Sequence, residues 1–145
     1  MIFMIDEKYK FSELTEKIIG CAMRVHNYLG NGFKEVVYQR ALAIEMVKSK
    51  LNFSREQEMP IFYEGQHVGT RRVDFFVEDQ ILVEIKAVTI TENVHLAQAI
   101  NYLEAFDREI GLLINFGARS LEFNRLRNKK FAMHLASPSC PSAQS

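Results

Sequence analysis

The spacing of apolar residues divides this chain into a helical first third and a strand-rich remainder. From position 14 to position 29 the apolar residues recur at helical spacing, behind a serine, Ser12, that we expect to cap the helix. Gly30-Asn31-Gly32 supplies the glycines that commonly end a helix. A second helical pattern covers about residues 34–49. We therefore predict two consecutive helices before the first strand.

The pattern changes to strands after Leu51. Residues 52–57 and 61–63 predict two short strands, and a turn at 64–66 leads into a third over 67–77. A fourth strand covers 81–87, a helix about 93–106, and two further strands 110–116 and 121–126. The run at 110–116 is apolar almost throughout, as in a strand that is buried on both faces. This order of helices and strands predicts an α/β fold.

Three charged residues interrupt the apolar runs of the hairpin at 71–87, namely Asp74, Glu84 and Lys86. Because side chains alternate along a strand, Glu84 and Lys86 share one face. A two-residue loop would place Asp74 on the opposite face from Glu84, whereas the three-residue loop 78–80 places the two acids directly across from each other. We predict the three-residue loop or an equivalent bulge. The patch is then a metal site with a catalytic lysine or a buried ion-pair cluster.

The chemistry of the first alternative is specific. Asp74 and Glu84 offer hard oxygen ligands to one Mg²⁺ or Mn²⁺, and the carbonyl of Ile85 can complete the protein's share. Lys86 would orient or activate a water molecule, or stabilise negative charge on phosphorus. Without a metal, we expect Lys86 to be the counter-ion of the two acids.

The helices on either side of the hairpin carry further polar residues. Glu35 lies in the first turn of the second helix, where an acid complements the helix dipole, but it also lies on an apolar edge of that helix. His95, Gln98 and Tyr102 form one stripe on the later helix. The stripe is either the boundary of an amphipathic helix or a set of side chains over the end of the hairpin.

Composition limits the classes of partner. A chain of 145 residues with zero formal net charge predicts one domain, over 1–135 with a disordered tail at 136–145, and no general attraction to nucleic acid. Local basic residues are available at Lys34, Arg71, Arg72 and within 125–130. Two cysteines, Cys21 and Cys140, predict neither a disulfide framework nor a zinc site. No apolar run is long enough for a membrane span, so we expect a cytoplasmic protein without a membrane partner.

Several motifs together resemble the small bacterial GxxExxY proteins. Gly32-Phe33-Lys34-Glu35-Val36-Val37-Tyr38 matches the motif that names that family. The remaining matches, in the same order as in the family, are Arg72-Val73-Asp74-Phe75, Val83-Glu84-Ile85-Lys86-Ala87, His95-Leu96-Ala97-Gln98, Asn101-Tyr102-Leu103 and Leu112-Leu113-Ile114-Asn115-Phe116. The resemblance covers roughly residues 12–132.

That family is grouped with the PD-(D/E)XK nuclease-like superfamily. The resemblance implies a restriction-endonuclease-like core, in which a mixed central β-sheet flanked by helices carries a divalent-metal site at one end. It makes Asp74 the metal-binding aspartate and Glu84 and Lys86 the Glu-x-Lys pair. It also makes Glu35 an additional acid and Gln98 the polar residue of the following helix. The proline of the superfamily's name is absent, since Val73 precedes Asp74.

The resemblance and the residues together predict a Mg²⁺- or Mn²⁺-dependent nuclease that hydrolyses phosphodiester bonds, with DNA as the expected substrate in preference to RNA. Lys34, Arg71, Arg72, His95 and Tyr102 are the residues expected to contact nucleic acid. The alternative is a non-catalytic module that keeps the nuclease fold and binds nucleic acid or protein. A further possibility is a subunit that needs a protein partner or a second copy of itself to complete its surface.

Overall fold

The computed structural model describes residues 11–131. The expected tail at 136–145 and Cys140 lie outside these residues, as does the last part of the expected domain. The helices and strands, in chain order, are α1 (Ser12–Leu29), α2 (Glu35–Lys48), β1 (Phe53–Tyr63), β2 (Gln66–Val77), β3 (Ile81–Lys86), α3 (Asn93–Ala105), β4 (Ile110–Asn115) and β5 (Glu122–Arg127).

The five strands form one sheet in the order β1-β2-β3-β4-β5. Only β3 and β4 are parallel, and α3 makes the crossover between them. The other neighbours are antiparallel. One apolar cluster joins α1 and α2 to one face of the sheet through Val83 and Ile85, and another joins α3 to the opposite face through Leu82 and Leu113. The fold is therefore α/β, with a mixed sheet between helices, as predicted.

Two local predictions were wrong. The two strands expected at 52–57 and 61–63 form a single strand, β1, which stays paired with β2 through Glu58, Met59 and Pro60; its register shifts only further on, between Ile61 and Phe62. Ser12 does not cap α1, because the helix already includes it and the capping position is Phe11, with a left-handed φ of 61°. The expected end of α1 is confirmed, since Gly30 follows it with a φ of 76° and donates its N–H to the carbonyl of His26.

The hairpin between β2 and β3 has the predicted loop of three residues. Phe75 pairs with Val83, Phe76 with Leu82 and Val77 with Ile81, which leaves residues 78–80 as the loop. Glu78 fixes this loop to the chain before β1: its N–H donates to the carbonyl of Asn52, and its carboxylate accepts the N–H of the same residue. This register brings Asp74 and Glu84 to matching positions just beyond the last paired row.

Within residues 11–131, no helix combines the length and the hydropathy that crossing a bilayer would require.

Candidate active site at the open end of the hairpin

The ladder between β2 and β3 stops after three rows, and the side chain of Asp74 takes the place of the next backbone contact. Its Oδ2 accepts the N–H of Ile85 at 2.8 Å. The backbone N–H of Asp74 in turn points to Oε2 of Glu84 at 3.4 Å. The two acids are therefore linked through one backbone group, and the strands separate at this point.

The two carboxylates have different further partners. Asp74 Oδ1 accepts a hydrogen bond from the side-chain amide of Gln39 on α2, at 2.9 Å. Glu84 Oε1 accepts one from the guanidinium of Arg71, at 2.8 Å, near α3. Each of the four carboxylate oxygens thus has a donor from the protein. Within residues 11–131, no three His, Cys, Asp or Glu side chains come together as a ready metal-binding group.

Glu84 is the most strongly perturbed acid of the site. Its side chain is only 4% exposed, and burial raises the pKa of Glu84 to about 7, with the charge of Asp74 adding to the rise. The positive charge of Arg71, the N–H of Asp74 and the charge of Lys86 act in the opposite direction. A buried carboxyl whose pKa lies near neutrality is characteristic of functional sites.

The expectation that Lys86 is the counter-ion of the two acids was wrong. In the part of the chain that the structure describes, the ion pair within 4.0 Å of Glu84 is made by Arg71. Lys86 is half-buried at the end of β3, and its charge acts on both Glu84 and Glu35. Arg71 is better placed because its side chain reaches Glu84 from the neighbouring strand.

Glu35 comes to this end of the sheet from the first residue of α2. Partial removal from water raises the pKa of Glu35, although its side chain keeps contact with solvent. The charge of Lys86 lowers this pKa and that of Asp74 raises it, while the N–H of Ala87 also stabilises the carboxylate. These interactions show that Glu35 shares the electrostatic environment of the hairpin acids.

Tyr38, the last residue of the GxxExxY-like motif, supports the position of Glu35. The tyrosine is fully buried and stacks on Phe116, with ring centroids 4.7 Å apart. Its hydroxyl donates to the carbonyl of Gly30 at 2.6 Å and accepts the N–H of Phe33 at 3.1 Å. Tyr38 therefore holds the loop that leads into α2, and Glu35, the first residue of α2, lies one turn before Tyr38.

Residues of α3 form the other wall of the site. The narrow crevice beside Glu84 is lined by Arg71, Glu84, Lys86, His95, Gln98, Ala99, Tyr102 and Leu113. The ring of Tyr102 lies under the guanidinium of Arg71, 4.5 Å from its centre. Nδ1 of His95 accepts the N–H of Glu92 at the start of the helix, at 2.9 Å. The expected stripe of His95, Gln98 and Tyr102 thus lies over the Glu-x-Lys strand.

Other expected nucleic-acid contacts lie further away. Arg72 is exposed and pairs with Glu58 of β1 at 3.3 Å. Lys34 is exposed at the residue before α2, next to Glu35. Of the basic residues at 125–130, Arg127 lies at the far end of the sheet, because it pairs with Ile110 and Ile110 with Ile81, five positions along β3 from Lys86. Five residues of strand span about 16 Å.

Sequence reasoning missed Gln39 altogether and missed the contact of Arg71 with Glu84. Gln39 is buried, holds Asp74 through its amide N–H, and accepts a hydrogen bond from Arg55 through its amide oxygen at 3.1 Å. The available signal was a glutamine next to Tyr38 on the buried side of α2, one turn after Glu35. A buried side-chain amide needs a hydrogen-bond acceptor for its N–H groups and a donor for its oxygen, and at this position the sheet is the source of both.

Comparisons with known proteins agree with this architecture. A model of the PD-(D/E)XK nuclease superfamily matches residues 12–126, most of the chain. A solved structure described as "Crystal structure of SSO0001" shares the fold, with a TM-score of 0.53 at 17% identity, over 91% of this chain and 71% of that one. No curated protein matches. Since the family model covers the sheet, the flanking helices and every residue of the candidate site, this chain belongs to the PD-(D/E)XK nuclease superfamily.

Proposed function

We propose that this protein is a divalent-metal-dependent nuclease that hydrolyses phosphodiester bonds in nucleic acid, and that it belongs to the GxxExxY group within the superfamily. The observation that carries the proposal is the hairpin register: Asp74 and Glu84 lie across from each other at the point where β2 and β3 separate, and Lys86 follows on the same strand. Membership of a nuclease superfamily gives that arrangement a chemical meaning that the fold alone would not.

The donor set of this patch suits Mg²⁺ or Mn²⁺. Asp74 and Glu84 would hold the ion with the carbonyl of Ile85, since such ions bind to a few carboxylates and complete their shell with water and substrate phosphate. The absence of a third converging acid within the described residues is compatible with that mode of binding. The bound ion would lower the pKa of its water and neutralise charge on the phosphodiester.

The remaining side chains supply binding and proton transfer. Lys86, half-buried beside the acids, would orient the attacking water or stabilise the charge that develops on phosphorus. Glu35 would hold a second ion or an ion-bound water, since its charge is coupled to those of Asp74 and Lys86. Gln98, which is exposed on α3 at the rim of the crevice, would position water or phosphate.

The substrate that we propose is DNA in preference to RNA. Arg71, His95 and Tyr102 would contact it from the crevice, and Lys34 and Arg72 from the exposed rim. With zero formal net charge, the protein should bind bare nucleic acid weakly, so that affinity depends on the ion and on these few side chains.

One observation favours a second candidate function, a nucleic-acid- or protein-binding module without catalysis. All four carboxylate oxygens of Asp74 and Glu84 already have protein donors, as expected of a structural polar cluster. In such a module, the surface would be completed by a protein partner or a second copy of the chain.

Cleavage of single- and double-stranded DNA and RNA, with Mg²⁺ or Mn²⁺ and with a chelator, distinguishes the two functions. The parent should cleave only with metal, and Lys86→Ala and Asp74→Ala should each reduce the rate by at least about a hundredfold, as for loss of a group that stabilises developing charge.

Lys48→Ala on the outer face of α2 and Asp79→Asn in the hairpin loop are the matched controls, and both should cleave at the parental rate. Metal-dependent cleavage that survives in both Lys86→Ala and Asp74→Ala would rule out this site. A parent that binds nucleic acid without cleaving it would favour the binding module.

A further inference from the structure

Arg71 occupies a position that the proposed metal would need. Its Nη2 lies 2.8 Å from Oε1 of Glu84, and its guanidinium lies over the ring of Tyr102, 4.5 Å from the centre. The guanidinium is therefore held between β3 and α3, directly on one of the two acids. Stacking on an aromatic ring and pairing with a carboxylate are both favourable for arginine.

The hold of Arg71 on Glu84 is incomplete. The contact uses one nitrogen, whereas arginine can bind a carboxylate through two parallel hydrogen bonds. Nε of Arg71 is buried and has no hydrogen-bond acceptor in the structure. The side chain is still 31% exposed, so that a ligand can reach it from solvent. A donor without an acceptor, on a cation within reach of solvent, is suited to a ligand with several anionic oxygens.

Arg71 and a divalent ion would compete for the carboxylate of Glu84. The guanidinium already neutralises this carboxylate, and it lies within hydrogen-bond distance of an oxygen that would bind the ion. Two cations that share one buried carboxylate repel each other strongly because the surroundings screen them poorly. Arg71 must therefore leave Glu84 before the ion can bind with full affinity.

We propose that Arg71 closes the metal site in the free protein and opens it by moving from Glu84 to a phosphate of the nucleic acid, an inference that rests on the proposed metal site. Phosphate oxygens accept two hydrogen bonds from a guanidinium and replace Glu84 as its anionic partner. Metal and nucleic acid then bind together, and the free protein binds metal weakly. This coupling prevents an ion from being bound productively without substrate.

The affinity for Mn²⁺ tests the proposal without any measurement of cleavage. It is measured by electron paramagnetic resonance, from the decrease in the signal of free Mn²⁺ as protein is added. At about pH 8, Arg71→Gln should bind Mn²⁺ about tenfold more tightly than the parent, because the guanidinium that contacts Glu84 is gone. Arg40→Gln is the matched control, since it removes the same charge from an exposed position of α2 that has no role in the proposed site, and it should bind Mn²⁺ as the parent does.

A short single-stranded DNA whose linkages are all phosphorothioates, which keep the negative charge and resist cleavage, supplies the second arm. It should tighten Mn²⁺ binding in the parent and in Arg40→Gln, but not in Arg71→Gln. If Arg71→Gln does not fold, as judged by circular dichroism, Arg71→Met serves instead. Methionine also removes the positive charge beside Glu84, so this variant should likewise bind Mn²⁺ more tightly than the parent.

The outcomes separate the two hypotheses. Equal Mn²⁺ affinity of the parent and the Arg71 variants would overturn the role of Arg71 and leave the metal site intact. A parent and variants that bind no Mn²⁺, with or without the DNA, would overturn the metal site itself and the role of Arg71 with it. Tightening by the DNA that persists in Arg71→Gln would also overturn the transfer of Arg71 to phosphate.

Discussion

The two long sides of β3 differ in how completely they are paired. Toward β4, all six residues of β3 pair in an unbroken parallel ladder, and the N–H of Phe116 extends it to the carbonyl of Lys86. Toward β2, only three rows form before Asp74 enters between the strands. We call the fully paired edge of β3, toward β4, the closed side, and the partly paired edge, toward β2, the open side.

The closed side is made by backbone and small residues. Asn115 is fully buried, and its amide oxygen accepts the N–H groups of Val88 and Gly117. At Gly117 the chain passes so close to Ala87 and Val88 that there is no room for a side chain. The strand that carries Glu84 and Lys86 is therefore held rigidly from one side, which allows the other side to separate and to present charged groups. Sites built on such supported strands are positioned accurately.

The largest effect should follow from adding a methyl group on the closed side. A Cβ at position 117 would lie 2.5 Å from backbone atoms of Ala87 and Val88, a distance at which the chain must move. Gly117→Ala should therefore destabilise the protein by at least about 3 kcal/mol in urea unfolding, as expected for severe overpacking. Gly69→Ala in β2, where a Cβ meets nothing within 4 Å, is the control and should change stability little. Equal stability of the two variants would contradict a closed junction.

A smaller, pH-dependent effect is expected at Glu84 on the open side. Because its pKa in the folded protein is about 7 and its ordinary value is 4.5, the folded state favours the protonated form. The stabilisation from this group is complete below about pH 4.5 and is lost as the pH rises through about 7, a loss of about 3 kcal/mol.

Glu84→Gln cannot ionise, so its free energy of unfolding in the presence of a chelator should not show this decline between about pH 5 and pH 8. Glu45→Gln is the comparison, since the hydrogen bond from Arg24 lowers the pKa of Glu45 and gives that group a dependence of opposite sign. If the free energy of unfolding of Glu84→Gln still declines over this pH range, the decline is caused by another group.

The smallest effect is expected where α2 supports the open side. Gln39→Leu removes the donor to Asp74 and the acceptor of Arg55, and it should cost about 1 kcal/mol of stability in urea unfolding, as for a lost buried hydrogen bond. Gln57→Leu on the exposed part of β1 is the matched control, with an expected change within about 0.5 kcal/mol. A Gln39→Leu variant as stable as this control would show that Asp74 does not depend on α2.

Local patterning was sufficient for most of the architecture. Helical spacing and the glycines at 30 and 32 indicated α1 and α2, and the apolar run at 110–116 indicated the buried β4. The spacing of Asp74 and Glu84 predicted the three-residue loop, because a change of one residue would have exchanged the two faces of the strand. The break expected between residues 57 and 61 was wrong because Glu58, Met59 and Pro60 pair with β2 in the same register as their neighbours.

The partners of the two acids depended on the tertiary structure. Which donor reaches Asp74 is decided by the packing of α2, whose Gln39 lies 35 positions earlier in the chain. Which cation reaches Glu84 is decided by the course of β2 and by Tyr102 of α3, which together place Arg71 rather than Lys86 on the carboxylate. The amino-acid sequence determined which charged groups lie at the open end of the hairpin. Only the packing of distant elements decided how those groups pair, because burial requires each charge to take the nearest available partner.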